Sequence, residues 1–193
     1  MARRGERRYQ TVGEAIRQVA AAMGGRMTGT FATGRCDCRA IRYLLLSRPI
    51  FTHCCHCSWC QRESGSAFAV NAMIETRRLQ VEGDAPEMVL TPSASGKGQN
   101  IARCPTCRVA LWSHYATLGA KLAFVRAGSL DDPSLAPPDV HIFTSTKQPW
   151  VVLPAGAEAY LEYYSAADRE RMFGPEGLAR RAALLEEVKR EAC

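Results

Sequence analysis

The 193-residue chain has no apolar run approaching the roughly 18–20 residues that span a bilayer, so a membrane-crossing helix is not expected. Its first residues, MARRGERRYQTVGEAIRQ, have no continuous apolar stretch of the kind that directs secretion. Glu6 and Glu14 count against an organellar leader, and a cytoplasmic location is the expectation. There is no internal repeat and no low-complexity segment, which leaves one domain with a real core and terminal additions. Nor is the charge strongly one-sided. The formal +6 counts every cysteine as neutral and falls where cysteines are held as thiolates. A cluster at Arg3, Arg4, Arg7 and Arg8 supplies part of what is left. That is a solvated arm, and nucleic acid is not an expected partner.

Cysteine is abundant, in a pattern that excludes a disulfide framework. The count is odd, there is no export signal, and eight of the nine thiols fall in three tight clusters. These are Cys36 and Cys38; Cys54, Cys55, Cys57 and Cys60; and Cys104 and Cys107, with Cys193 alone at the end. Thiols two residues apart on extended chain do not converge well for a bridge, whereas two sulfurs each about 2.3 Å from one zinc need not touch. A closed structural zinc takes four ligands, usually as two distant pairs. Cys36 and Cys38 with Cys104 and Cys107 are the natural halves. Cys55, Cys57 and Cys60 then form a local set of three. That set is either an open, reactive zinc site or a closed one completed by Cys54, His53 or His56. The expected cofactor is therefore zinc, two per chain.

Three thiolates leave zinc with a net charge of −1. Such a site is a poor source of hydroxide but a good holder of a further soft ligand such as a substrate thiolate. Because the thiolate is the nucleophile, the expected chemistry joins a small-molecule thiol to an electrophile, or cleaves the carbon–sulfur bond so formed. From another class comes a non-catalytic zinc module that binds protein or nucleic acid through the basic arm and the C-terminal helix.

Capping and periodicity place an amphipathic helix over residues 11–23. Between Met27 and Trp150 the short alternating runs at 41–46, 68–74, 87–91, 109–114, 121–128 and 139–143 predict strands. A helical turn is expected over Ser58–Gly65 and a loose loop over Ser93–Gly98. Helices follow over Ser165–Phe173 and from Pro175 onward, the last with a seam at Leu178, Ala182, Leu185 and Lys189. The division is a basic arm and helix at 1–26, a mainly β zinc domain at 27–155 and a helical extension at 156–193. The terminal helices are where a homo-oligomer would form.

The segments GRCDCRAIRY (34–43), CHCSWCQRESGSAF (55–68), CPTCRVALW (104–112) and HIFTSTKQPW (141–150) resemble the glutathione-dependent formaldehyde-activating enzymes and their relatives, which include centromere protein V. The resemblance implies a mainly β fold of several small antiparallel sheets around zinc, of the Mss-four-like type. It implies that Cys36, Cys38, Cys104 and Cys107 are structural and that Cys55, Cys57 and Cys60 are catalytic. It also implies a carbon–sulfur lyase that reversibly joins glutathione and formaldehyde as S-hydroxymethylglutathione. The chain departs from the family where glycine usually follows the first and last cysteine pairs. Arg39 and Arg108 stand there, and Arg103 replaces an aromatic residue. Arginine in place of glycine predicts altered turns, or cations for an anionic ligand; Arg62 and Lys147 are further candidates for that task. His56, between two ligands, is a candidate for proton transfer or for orienting its neighbours.

Overall fold

The computed structural model describes residues 29–93 and 96–191. The helix expected over 11–23, the basic arm and Cys193 lie outside them. Among the described residues, ten strands form two sheets. β1 (Ala32–Arg35), β2 (Ile41–Leu45) and β5 (Leu79–Gly83) make a three-stranded sheet. The larger sheet runs β10-β3-β4-β9-β8-β7-β6, from β3 (Phe51–Cys55), β4 (Ala69–Glu75), β6 (Glu87–Thr91), β7 (Gln99–Arg103), β8 (Ala110–Tyr115), β9 (Leu122–Arg126) and β10 (Val140–Ile142). All its pairs are antiparallel except β10 on β3. The fold is mainly β, as expected, with one large and one small sheet.

Two apolar layers follow from strand alternation, since residues two apart share a face. On one face of the large sheet, Ala72, Ile74, Leu111, Trp112 and Val125 pack against Ile41, Tyr43 and Leu45 of the small sheet. Gly34 is obligatory there: a Cβ would stand 2.3 Å from the Tyr43 ring. The other face carries Phe51, Met73, Leu122 and Ile142, covered by the C-terminal helix through Phe173 and Leu184. Phe51 and Phe173 stack with centroids 4.3 Å apart.

Short α1 spans Ser58–Ser64 and stops at left-handed Gly65. α2 spans Ala166–Glu191 and breaks at Gly174 (φ 64°), immediately before Pro175, so the two expected helices are its two halves. The expected seam shifts. Ala182 and Lys189 face solvent, and the buried positions are Phe173, Gly177 and Leu184, flanked by Leu178, Leu185 and Val188. A small alanine and a charged lysine cannot compete with leucine and valine for the sheet. Periodicity missed β1, β3, β5 and β7. No helix among the described residues is long and apolar enough to cross a membrane.

Candidate metal centres

Cys36 and Cys38 sit in the turn between β1 and β2, and Cys104 and Cys107 in the turn between β7 and β8. The two turns meet where the sheets face each other, and their four sulfurs lie within 4.8 Å of one another. Cys36 Sγ is 3.5 Å from Cys38 Sγ, which is 3.6 Å from Cys104 Sγ. Four sulfurs at about 2.3 Å from a tetrahedral zinc stand roughly 3.8 Å apart, so the set fits that ion.

The two turns share one backbone pattern. Cys36 N–H donates to Ile41 O (3.1 Å) and Cys104 N–H to Val109 O (3.0 Å). Arg39 N–H returns to Cys36 O (3.2 Å) and Arg108 N–H to Cys104 O (3.0 Å). Closing each turn needs left-handed backbone at the residue after the pair, and Arg39 (φ 66°) and Arg108 (φ 64°) adopt it. The altered turn geometry expected of arginine does not occur. Ile41 N–H also donates to Cys36 Sγ (3.3 Å). Backbone N–H groups of Cys38 and Val109 pull the Cys107 thiol down to about 6, which favours the thiolate a metal requires.

Cys55, Cys57 and Cys60 form a second group with all sulfurs within 4.8 Å. Cys55 ends β3, Cys57 caps α1, and Cys60 lies in its first turn. Cys57 is held far below the ordinary thiol range, first by the Cys55 and Cys60 thiols and then, against burial, by the N–H groups of Cys60 and Trp59. The Cys60 N–H to Cys57 Sγ distance is 3.4 Å. Cys60 is pushed far up by the neighbouring sulfurs of Cys55 and Cys57 and by burial, so the trio holds negative charge while sharing protons. An all-sulfur set of this kind suits zinc.

None of the three residues weighed as a fourth ligand joins this group. His53 lies on the helix-covered face but bonds Tyr164 Oη through Nε2 (2.7 Å), and burial, then Arg169, lowers it to about 3. Cys54 and His56 belong to the opposite face of β3, where they gather with His141. His56 is fully buried on that far side, so it is not placed to exchange protons at the three sulfurs. Its carbonyl instead accepts from Gln61 Nε2 (2.6 Å) and Thr146 Oγ1 (3.0 Å), which fixes the cysteine turn to the 144–148 segment.

Sequence reasoning missed Tyr115. Its phenol is raised first by burial and then by the charge of Cys60, with Cys55 and Cys57 adding smaller contributions, and so it stays protonated beside the trio. It also missed Glu63 of α1, whose carboxylate bridges Arg103 (2.5 Å) and Arg126 (2.8 Å). Glu63 borders a cleft of about 790 Å³, whose wall includes Arg35, Arg103, Arg108, Arg126 and Asp131, together with Cys36 and Cys107 of the four-cysteine set and Ala69, the cross-strand partner of Cys55; Tyr115 and the trio do not line it. Arg103 and Arg108 are thus placed beside a cleft, as an anion-binding role requires. Arg108 pairs with Glu87, and Arg35 with Asp131 at 2.7 Å. Arg39 and Arg62 are exposed and do not line it. Lys147 turns inward to the carbonyls of Val151 (2.6 Å) and Gln148 (3.2 Å). The signal that could have found Glu63 is its place one turn beyond Cys60; for Tyr115 no sequence signal exists.

The family model described as glutathione-dependent formaldehyde-activating enzyme matches residues 31–146. A crystal structure of a Rhodobacter sphaeroides protein is 22% identical to this chain, covering 51% of it and 87% of that chain, with a TM-score of 0.40. No curated protein matches the chain.

Proposed function

The chain belongs to the glutathione-dependent formaldehyde-activating enzyme family, and from that premise we propose that it is a zinc-dependent carbon–sulfur lyase acting on a small thiol adduct, S-hydroxymethylglutathione in the first instance. The observation that carries this reading is the group Cys55, Cys57 and Cys60, three sulfurs within 4.8 Å with no fourth protein ligand in the group among the described residues. Cys36, Cys38, Cys104 and Cys107 are the proposed structural set, which makes two zinc ions per chain for this reading.

Zinc held by the trio would supply a soft fourth position that keeps an incoming thiol deprotonated at neutral pH. The residues around it do the rest. The Cys60 N–H steadies the Cys57 thiolate, and Gln61, bonded to His56 O, Thr146 O and Gln148, holds α1 in place. In the joining direction the sulfur–carbon bond forms, the carbonyl π pair moves to oxygen, and the proton lost by the thiol ends on that oxygen. Tyr115, kept protonated on the same face, is proposed to hydrogen-bond the developing alkoxide while keeping its own proton. The two carboxylates of glutathione call for arginine, and the cleft walled by Arg103, Arg108 and Arg126 is where we place them.

The test is the exchange of labelled formaldehyde with its glutathione adduct, followed by NMR. Exchange well above the uncatalysed rate, lost in Cys57→Ala while the fold is retained, supports the reading. Background exchange by a protein shown to carry metal at the trio overturns it. Arg103→Ala should raise KM for glutathione several-fold with a smaller effect on kcat, since it removes a positioning contact for the substrate's remote charge.

A further inference from the structure

The strand β3 carries chemistry on both faces. In the run Cys54-Cys55-His56-Cys57, the odd positions turn to the helix-covered face and the even positions to the other. His141 is the register partner of Cys54 on the parallel neighbour β10, so it lies on the same side as Cys54 and His56. Strand alternation and register thus bring one thiol and two imidazoles together on the face away from Cys55, Cys57 and Cys60. Their ligand atoms all lie within 4.8 Å of one another.

We propose that Cys54, His56 and His141 form a third zinc site, independent of the two cysteine sets above. Cys54 Sγ is 3.5 Å from His56 Nε2, which is 3.0 Å from His141 Nδ1. Around a tetrahedral zinc at ordinary bond lengths the sulfur–nitrogen separation is about 3.5 Å and the nitrogen–nitrogen separation about 3.4 Å. The first is met and the second needs an opening of a few tenths of an ångström. Hydrogen bonding alone serves this cluster poorly. His56 Nε2 has a single in-plane hydrogen or lone pair, yet both a thiol and an imidazole nitrogen face it. A metal takes a lone pair from each of the three at once.

The ligands are also held in place beforehand. Cys54 and His56 are buried, and the His56 ring packs edge-on against Phe68 with centroids 5.4 Å apart. His56 N–H donates to Ile142 O (3.0 Å), which ties the same two segments together. His141, only half-buried, gives the ion its way in. The consequence is mechanical. β10 joins the sheet by only three residues, and a metal across Cys54 and His141 would clasp it to β3 at the edge.

The experiment is metal content of the full chain after zinc saturation and desalting, alongside thermal melting followed by circular dichroism. Three zinc ions per wild-type chain, falling to two in Cys54→Ala and in His141→Ala, support the site. Each variant should also lose a zinc-dependent rise in melting temperature that the wild type shows. The same zinc content in Cys54→Ala and His141→Ala as in the wild type, whether two ions or three, overturns it. Should Cys54→Ala fail to fold, His141→Ala decides, because its side chain is partly exposed. Cys57→Ala separates this inference from the lyase reading: it should lose an ion of its own, so that Cys54→Ala with Cys57→Ala loses two. If Cys57→Ala keeps every ion while Cys54→Ala loses one, the open site fails and the third site stands.

Discussion

Arg39 and Arg108 show how a local rule and a local structure can separate. Left-handed backbone costs an ordinary residue about 1–2 kcal/mol, whereas glycine adopts it freely and loses roughly 0.5–1 kcal/mol of unfolded-state entropy in exchange. Both turns are closed by hydrogen bonds back to Cys36 and Cys104, so the backbone holds its shape and the arginines bear the strain. Arg39→Gly should therefore stabilise the metal-loaded protein by about 0.5–1 kcal/mol, a rise of roughly 2 °C in melting temperature. Arg108→Gly should gain less, because it also gives up the exposed pair with Glu87, a contact of about 0–1 kcal/mol. A fall in melting temperature for Arg39→Gly would mean that its side chain makes a stabilising contact that outweighs the backbone strain. At this scale the cysteine groupings were legible, since ligand spacing is local chemistry. The partners of His56 were not: they depend on which residue of β10 stands beside Cys54, a register that no short window contains.

Elements were legible where they alternate in polarity or carry caps. β6 and α1 fall where the pattern puts them, and Gly174 with Pro175 marks the break in α2. β3 escaped because all five of its residues are buried, and a continuous buried run has no period to read. The docking of α2 escaped for another reason: it turns on a charge. Glu75 at the end of β4 is fully buried, and Arg180 of α2 meets it at 2.5 and 2.9 Å, with Arg78 at 3.3 Å. Burial alone would raise this carboxyl, but the hydrogen bonds and charge of Arg180 outweigh it and hold the group below its ordinary value. Arg180→Ala leaves the buried carboxylate only Arg78 and the more distant Arg77 as cations, and should cost up to about 3 kcal/mol in urea unfolding at pH 7. Adding Glu75→Gln should recover part of that loss. Since the folded carboxyl is lowered, the contribution is complete above the unfolded value of about 4.3 and is lost as pH falls through the folded one. The gap between wild type and Arg180→Ala should thus close in acid. Acid also releases thiolate-bound metal, so the difference between the two proteins at each pH is the quantity to follow.

For the molecule as a whole, the four-cysteine set brings a turn of the small sheet against a turn of the large sheet. Cys36 and Cys38 belong to the first sheet and Cys104 and Cys107 to the second, and Cys104 stands 66 positions after Cys38. A metal closing so long a loop removes much of the freedom of the unfolded chain, and its binding free energy is folding free energy. The three-cysteine set is different: Cys55, Cys57 and Cys60 lie within one strand end and one helical turn, so a metal there closes almost no chain. The two sets should therefore part company under a chromogenic thiol chelator. Zinc from the trio should appear first, with far-ultraviolet circular dichroism unchanged, and zinc from the four-cysteine set only as the signal collapses. Cys57→Ala should remove the early release and leave the late one, whereas Cys104→Ala should unfold the chain. Release of all zinc in one step with unfolding, or two variants of equal stability, would show that both sets carry the fold and that neither is free to serve as an open site.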